Sequence, residues 1–185
     1  MILIGLTGPP GSGKDTAYLI LESLLKPEWN VKRYSFADPL RAYADDLMGL
    51  EPGHEYWGKH KDQMLPEFNY QTPRELLIDL GMLGRKYQPT MWVDKAFDAI
   101  NADHPEVAII TDVRFKNEAI QLRERGGHLV AISRAGLSYN PELESESGQA
   151  VPWATHMIKN DGPLSRFQHD VEHFWWQLVA ERTVK

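Results

Sequence analysis

Near the amino end, the run Gly8-Pro9-Pro10-Gly11-Ser12-Gly13-Lys14-Asp15-Thr16 has the residue types and spacing to hold a chain of phosphates. It follows the template G-x-x-x-x-G-K-[ST] at every fixed position but the last, where Asp15 stands and the hydroxyl of Thr16 comes one residue late. Glycines let consecutive backbone N–H groups turn inward and let the chain approach a polyanion closely. Lys14 adds a mobile cation, and a helix starting here adds its positive end. Gly8, Gly11, Ser12, Gly13, Lys14, Asp15 and Thr16 are therefore the candidate nucleotide-binding residues, with ATP as the expected ligand. A carboxylate beside bound phosphates repels them unless a cation or water lies between. Magnesium is thus expected to be held largely by ATP oxygens and water, with Thr16 or Asp15 touching it directly or through water.

The elements that must position this loop are legible on either side of it. The apolar run Ile2 to Leu6 reads as a strand, and Ala17, Leu21, Leu24 and Leu25 recur at helical spacing. Val31 to Ala37 reads as a second strand. Asp38-Pro39 then opens a helix, with the aspartate as N-cap and proline at the first helical position, ending near Gly49. Arg41 falls in the first turn of that helix, where the dipole disfavours a cation and a bound anion would compensate. Glu51 to Gln71 has no period; its aromatics, Tyr56, Trp57, Phe68 and Tyr70, either stack on a base or pin the segment to the body. Thr72-Pro73-Arg74-Glu75 is a capping box that starts another helix and again puts an arginine in a first turn. Arg85 points the same way but roughly 16 Å further along, so Arg74 and Arg85 cannot grip one phosphate. Gly81 and Gly84 weaken this helix, and an early end there would relax that constraint.

Beyond a helix from Met91 to Asn101, Glu106 to Asp112 is a continuous apolar run ending in an acid, as in a central parallel strand whose carboxyl end faces ligand. Arg114 follows on the way into a helix over Phe115 to Arg125. His128 to Ser133 is a further strand, leading to Arg134. Residues 135–152 have no period and are long enough to be a lid. Thr155 to Lys159 is the last strand. Asn160-Asp161-Gly162 then turns into a helix whose Leu164, Phe167, Val171, Phe174, Trp175 and Leu178 share one stripe. His169-Asp170-Val171-Glu172-His173 spells the H-x-x-E-H arrangement of a zinc protease group, but both histidines lie off that stripe and read as a solvated face.

Bulk composition sets the class. The chain has 185 residues, 42% hydrophobic and 25% charged, which suits one globular domain, with 51–71 as an excursion and 135–152 as a lid. A net charge of −6 argues against a protein that coats nucleic acid, though local arginines can still bind small phosphorylated substrates. No apolar run approaches membrane length, no basic leader precedes Ile2, and there is no cysteine. A cytoplasmic protein, monomeric or homodimeric, is expected.

The alternation of strands and helices gives a three-layer α/β/α, doubly wound, mainly parallel sheet of the P-loop NTPase type. The loop resembles that of adenylate kinase and other nucleoside monophosphate kinases, in which the threonine is likewise displaced by one. More broadly the chain resembles the deoxynucleoside monophosphate kinases of bacteriophages. The landmarks are the loop, Ser35-Phe36-Ala37-Asp38-Pro39-Leu40-Arg41, Arg74 with Leu76-Leu77, Gly84-Arg85 and Trp92-Val93. They continue with Thr111-Asp112-Val113-Arg114-Phe115, Asn117-Glu118 and Ile158-Lys159-Asn160-Asp161-Gly162. The resemblance implies transfer of the ATP γ-phosphoryl group to a (deoxy)nucleoside monophosphate, with small-molecule nucleotides as the substrates. It implies that Asp38, Arg41, Arg74 and Arg114 serve the acceptor, with Arg85 and Arg134 nearer the phosphoryl groups. Lys14, Asp112, Arg114 and Arg134 are the implied catalytic set. Leu143-Glu144-Ser145-Glu146 stands where related lids carry His-x-Ser-Glu. Two other readings fit the same scaffold: a kinase of another phosphorylated metabolite, such as phosphomevalonate or dephospho-coenzyme A, and a non-catalytic nucleotide-binding protein.

Overall fold

A computed structural model describes residues 1–140 and 148–183. Five strands form one parallel sheet in the order β2-β3-β1-β4-β5: β1 (Ile2–Thr7), β2 (Val31–Tyr34), β3 (Val107–Ile110), β4 (His128–Ser133) and β5 (His156–Lys159). The helices are α1 (Lys14–Leu25), α2 (Asp38–Met48), α3 (Pro73–Tyr87), α4 (Met91–Asp103), α5 (Lys116–Glu124) and α6 (Leu164–Thr183). The chain divides into two compact units, one of Met1–Ser35 with Ile100–Lys185 and one of Phe36–Ala99.

The first unit contains the sheet, with helices on both faces. On one face, Leu21 and Leu25 of α1 and Phe167, Val171, Phe174, Trp175 and Leu178 of α6 pack on Ile4, Leu6, Val130 and Ile132. Leu164, expected in that stripe, is 64% exposed: it is the first residue of α6 and precedes the turn that meets the sheet. His169 and His173 lie on the outer face with their rings stacked 6.2 Å apart. On the other face α5 packs on β1 and β4 through Leu122. A side chain at Gly5 would meet Leu122 at 2.7 Å and Val113 at 2.9 Å, so only glycine lets β1 run this close to them.

Two strands are shorter than their sequence suggests. β2 stops at Tyr34 and β3 at Ile110, not at Ala37 and Asp112. Thr111 N–H still donates to the Tyr34 carbonyl (3.0 Å) and Val113 N–H to that of Leu6 (3.1 Å), just past the last strand pairs, Tyr34 with Ile110 and Gly5 with Ile110. The chain therefore peels from the sheet at its carboxyl edge and leaves Ser35 and Asp112 there as loop residues. Of the expected lid, 135–140 and 148–152 are described and end in a short 3₁₀ turn, Val151–Trp153. Leu143-Glu144-Ser145-Glu146 lies outside the described residues.

The second unit holds α2, α3 and most of α4. The N-cap of α2 is Ala37, so Asp38 is the first helical residue rather than the cap, and Pro39 sits within the first turn. α3 begins with the expected capping box: Thr72 Oγ1 accepts from Glu75 N–H (3.2 Å) while Glu75 Oε2 accepts from Thr72 N–H (2.7 Å). Those bonds, backbone first, hold the Glu75 carboxyl below its usual pKa. The early end that Gly81 and Gly84 left open does not occur: α3 runs unbroken through both glycines to Tyr87. The reason is tertiary. A side chain at Gly84 would meet the Trp92 ring at 2.7 Å, and Trp92 Nε1–H donates to the Gly81 carbonyl at 3.0 Å. The glycines admit the indole of α4, and its burial outweighs a helix-propensity cost of about 1 kcal/mol per glycine.

Within 51–71, buried Asp45 of α2 acts as a post. It accepts from Trp57 Nε1–H and from Gly53 N–H (3.0 Å). Phe68 packs edge-on against Tyr56 (5.2 Å) and Trp57 (6.1 Å). Three of the four aromatics thus pin the segment. Tyr70 is 70% exposed.

Candidate active site

β1 enters the loop and α1 leaves it, as the template requires. Gly13 is the N-cap of α1, with φ 110°, and Gly11 has φ 77°, both in the region that favours glycine. Lys14 Nζ donates to the carbonyls of Gly8 (2.8 Å) and Pro9 (3.0 Å), so the ammonium is folded over the loop. Ser12 is fully buried, and its Oγ has no hydrogen-bond partner among the described residues. A buried hydroxyl without a partner costs free energy, and an anionic oxygen in the loop would supply one. The loop is also closely built. A side chain at Gly8 would strike the Ile132 carbonyl oxygen at 2.3 Å and Ser12 Oγ at 2.6 Å.

Asn160 fastens this loop from β5. Its Nδ2–H donates to the Ser12 carbonyl (2.9 Å), its N–H donates to the Ser133 carbonyl (2.8 Å), and neighbouring Asp161 accepts from Ala135 N–H (2.5 Å). The ends of β4 and β5 and the phosphate loop are thereby one hydrogen-bonded body. Replacing Asn160 by alanine removes one such bond, worth about 1 kcal/mol. A roughly fivefold loss of affinity for a polyphosphate ligand of the loop, with an unchanged circular dichroism spectrum, is expected.

Asp15 and Thr16 open α1. The Asp15 side chain is 85% exposed and lies 3.7 Å from the Arg33 guanidinium of β2, which also sits over the Tyr18 ring at 6.0 Å. Thr16 is half-buried. At the edge left by β2 and β3, the Ser35 hydroxyl donates to Asp112 Oδ2 at 2.5 Å, fixing that carboxylate. Arg114 has its backbone held on two sides. Its N–H donates to the buried Glu118 carboxylate (2.8 Å) and its carbonyl accepts from Ala150 N–H (3.2 Å), while its side chain is exposed. Arg134 is exposed just past the end of β4. Tyr139, further along that segment, bonds the Thr7 hydroxyl at the end of β1, and burial pushes its pKa up.

The remaining predicted residues lie in the second unit. Arg41 Nη1 donates to Asp38 Oδ1 at 2.7 Å, so the aspartate offsets the cation in the first turn of α2. Arg74 Nε donates to Asp62 Oδ1 (2.5 Å) and its Nη2 to Oδ2 (3.3 Å), a two-pronged pair that holds the Asp62 carboxyl below its usual pKa. Arg74 N–H also donates to the Lys61 carbonyl (2.9 Å). Arg85 folds back over Gly81: a side chain there would meet its Nη1 at 3.0 Å and Leu40 of α2 at 3.3 Å. Its head therefore reaches the seam between α2 and α3.

Sequence reasoning missed the chemistry of three residues. Ser35 and Asn160 stand among the landmarks, but their residue types and spacing assign them no role. Asp62 carries no signal, because its pairing with Arg74 depends on how the irregular segment folds back. Among the described residues no three His, Cys, Asp or Glu side chains cluster as a metal-binding group, and no helix is long and apolar enough to cross a membrane. The oxygens of Thr16, Asp15 and Asp112 suit a hard cation that takes most of its ligands from phosphate and water.

No protein-family model matches the chain. Two curated proteins match nearly end to end. "Putative deoxynucleotide monophosphate kinase" of Acanthamoeba polyphaga mimivirus is 31% identical over 198 aligned positions, covering 97% of this chain and 95% of that protein. The deoxynucleoside-5'-monophosphate kinase of Escherichia phage T5 is 27% identical over 224 positions, covering 86% and 89%. Among solved structures, a dephospho-CoA kinase from Campylobacter jejuni aligns with a TM-score of 0.46 at 13% identity, covering 95% of this chain and 96% of that one. A shikimate kinase from Bacteroides thetaiotaomicron aligns with a TM-score of 0.42 at 16% identity, covering 96% and 98%. With the glycine-lysine loop between β1 and α1, the fixed acid at the sheet edge and a full-length match above 30% identity all in agreement, the chain belongs to the deoxynucleoside monophosphate kinase family, and it is a nucleotide kinase.

Proposed function

We propose that this enzyme transfers the γ-phosphoryl group of ATP to the 5'-phosphate of a deoxynucleoside monophosphate, giving the deoxynucleoside diphosphate and ADP. The observation that carries this reading is the buried Ser12 hydroxyl, without a partner among the described residues, in a loop whose Lys14 ammonium rests on the Gly8 and Pro9 carbonyls. Both groups are suited to phosphate oxygens. The family's named activity and the arginines of the second unit support a phosphorylated acceptor.

The attacking atom is an oxygen of the acceptor phosphate. With a second pKa near 6, that phosphate is largely ionised at neutral pH, so no protein base is needed. Catalysis is then alignment and neutralisation of charge. Lys14, the loop N–H groups and the start of α1 hold the donor's β- and γ-phosphates. Arg114 and Arg134 offset the charge that spreads over the transferring group. Arg41 and Arg74 take the acceptor phosphate, with Asp38 and Asp62 setting their guanidiniums in place, and Arg85 serves the transferring group. When bound, magnesium lowers the charge on the donor phosphates. Thr16 would contact it, with Asp15 and Asp112 acting directly or through ordered water.

A panel of acceptors with coupled detection of ADP tests the reading. Deoxynucleoside monophosphates are expected to drive ADP release. Release with phosphomevalonate or dephospho-coenzyme A and not with any nucleotide would reject the acceptor class. ATP binding without any acceptor-dependent release would reject catalysis.

A further inference from the structure

Tyr70 is held in a conformation that side chains avoid. Asn69 and Tyr70 have φ of 53° and 58°, two consecutive non-glycine residues in the left-handed region. A closed loop enforces this. Leu65 N–H donates to Gln71 O (3.1 Å), Asn69 N–H to Pro66 O (3.0 Å), Tyr70 N–H to Leu65 O (3.0 Å) and Gln71 N–H to Phe68 O (3.0 Å). Phe68 anchors the loop in the cluster with Tyr56 and Trp57. Tyr70 stands outside that cluster, its large ring 70% exposed.

The residues after Tyr70 are equally fixed. Gln71 is in the loop's own bonds, Thr72 and Glu75 close the capping box, and Pro73 is the first residue of α3. Arg74, its guanidinium seated on Asp62, comes next. A short rigid segment therefore carries a flat, exposed aromatic face at one end and an oriented guanidinium at the other. A mononucleotide offers the complementary pair: a base with a π face and, one ribose away, a phosphate.

We propose that Tyr70 stacks on the base of the acceptor nucleotide whose 5'-phosphate Arg74 binds. This rests on the function proposed above and adds how the base is met. Stacking accepts any base, because every base has a π face. Tyr70 then raises affinity for all acceptor monophosphates without choosing strongly between them.

Tyr70→Gly removes the ring and suits a positive φ, so the loop keeps its path. With deoxynucleoside monophosphates this variant is expected to raise the acceptor KM roughly tenfold, with kcat within about twofold of the parent. Tyr70→Phe should restore the parent KM. The control is 2-deoxyribose 5-phosphate as a competitive inhibitor, which has the phosphate and no base; its inhibition constant should be the same in Tyr70→Gly and the parent. An unchanged acceptor KM in Tyr70→Gly would overturn the proposal. So would a parallel weakening of 2-deoxyribose 5-phosphate, which would mean that Tyr70 only shapes the loop around Arg74. Failure of the parent enzyme to use any monophosphate would instead strike the proposed function.

Discussion

Replacing Lys14 by alanine is expected to lower kcat/KM for phosphoryl transfer by about a thousandfold or more while leaving the fold intact. The side chain is half-buried and donates to the Gly8 and Pro9 carbonyls. Those carbonyls can turn to water when it is gone, so the cost to stability is small. On the donor side the loss is large, because the flexible ammonium is the cation within the phosphate loop itself. Losing a single neutral donor to a developing negative charge typically costs about a hundredfold to a thousandfold, and a full charge in a site that excludes water is worth more. Thermal melting and single-turnover assays check the two halves together. A variant with parent-like melting and near-normal turnover would remove Lys14 from the mechanism.

Gly8→Ala is expected to damage both stability and nucleotide binding. The added methyl would lie 2.3 Å from the Ile132 carbonyl oxygen and 2.6 Å from Ser12 Oγ, at a φ of 154° that L side chains rarely adopt. Ile132 belongs to β4, which the sheet holds between β1 and β5, so its oxygen cannot withdraw cheaply. Overpacking of this kind costs about 2 kcal/mol, or roughly 4–8 °C in Tm for a chain of this size. The loop must move to relieve the contact, which misplaces Ser12 and Lys14 and should weaken ATP binding by at least about tenfold. Gly11→Ala is a milder comparison, because among the described residues its methyl would meet only the Leu137 side chain, at 3.6 Å, although φ there is also positive. Equal effects of the two substitutions would show that backbone strain, not the contact with β4, governs the loop.

How much of this is legible in the sequence depends on where each cause lies. The loop, its flanking strand and helix, and the capping box at Thr72 follow rules that span a few adjacent residues, and the chain obeys them. The apolar runs of β1 and β3 announce a sheet buried on both faces for the same reason. By contrast, the ends of β2 and β3 are set by where a neighbouring strand stops offering partners, and nothing in Val31 to Ala37 carries that information. Gly81 and Gly84 look like helix breakers because propensity is local, whereas the indole of Trp92 that needs them comes from the next helix. Trp57 and Tyr70 look alike in sequence, and only the buried carboxylate of Asp45 separates the one that pins from the one that is presented. In the candidate site, Arg41 and Arg74 stand out through their positions in first turns. Their orienting carboxylates stand out less: Asp38 reads as a cap, and Asp62 lies in a segment without period.

Passage of a phosphoryl group from the loop to a second phosphate on a deoxynucleotide is tested most directly by incubating the enzyme with ATP labelled in its γ-phosphate and a deoxynucleoside monophosphate, then separating the products. Label recovered in the β-position of the deoxynucleoside diphosphate, in equal amount to the ADP formed, is the predicted result. Label recovered only as inorganic phosphate, or ADP formed at the same rate with no monophosphate present, would contradict it.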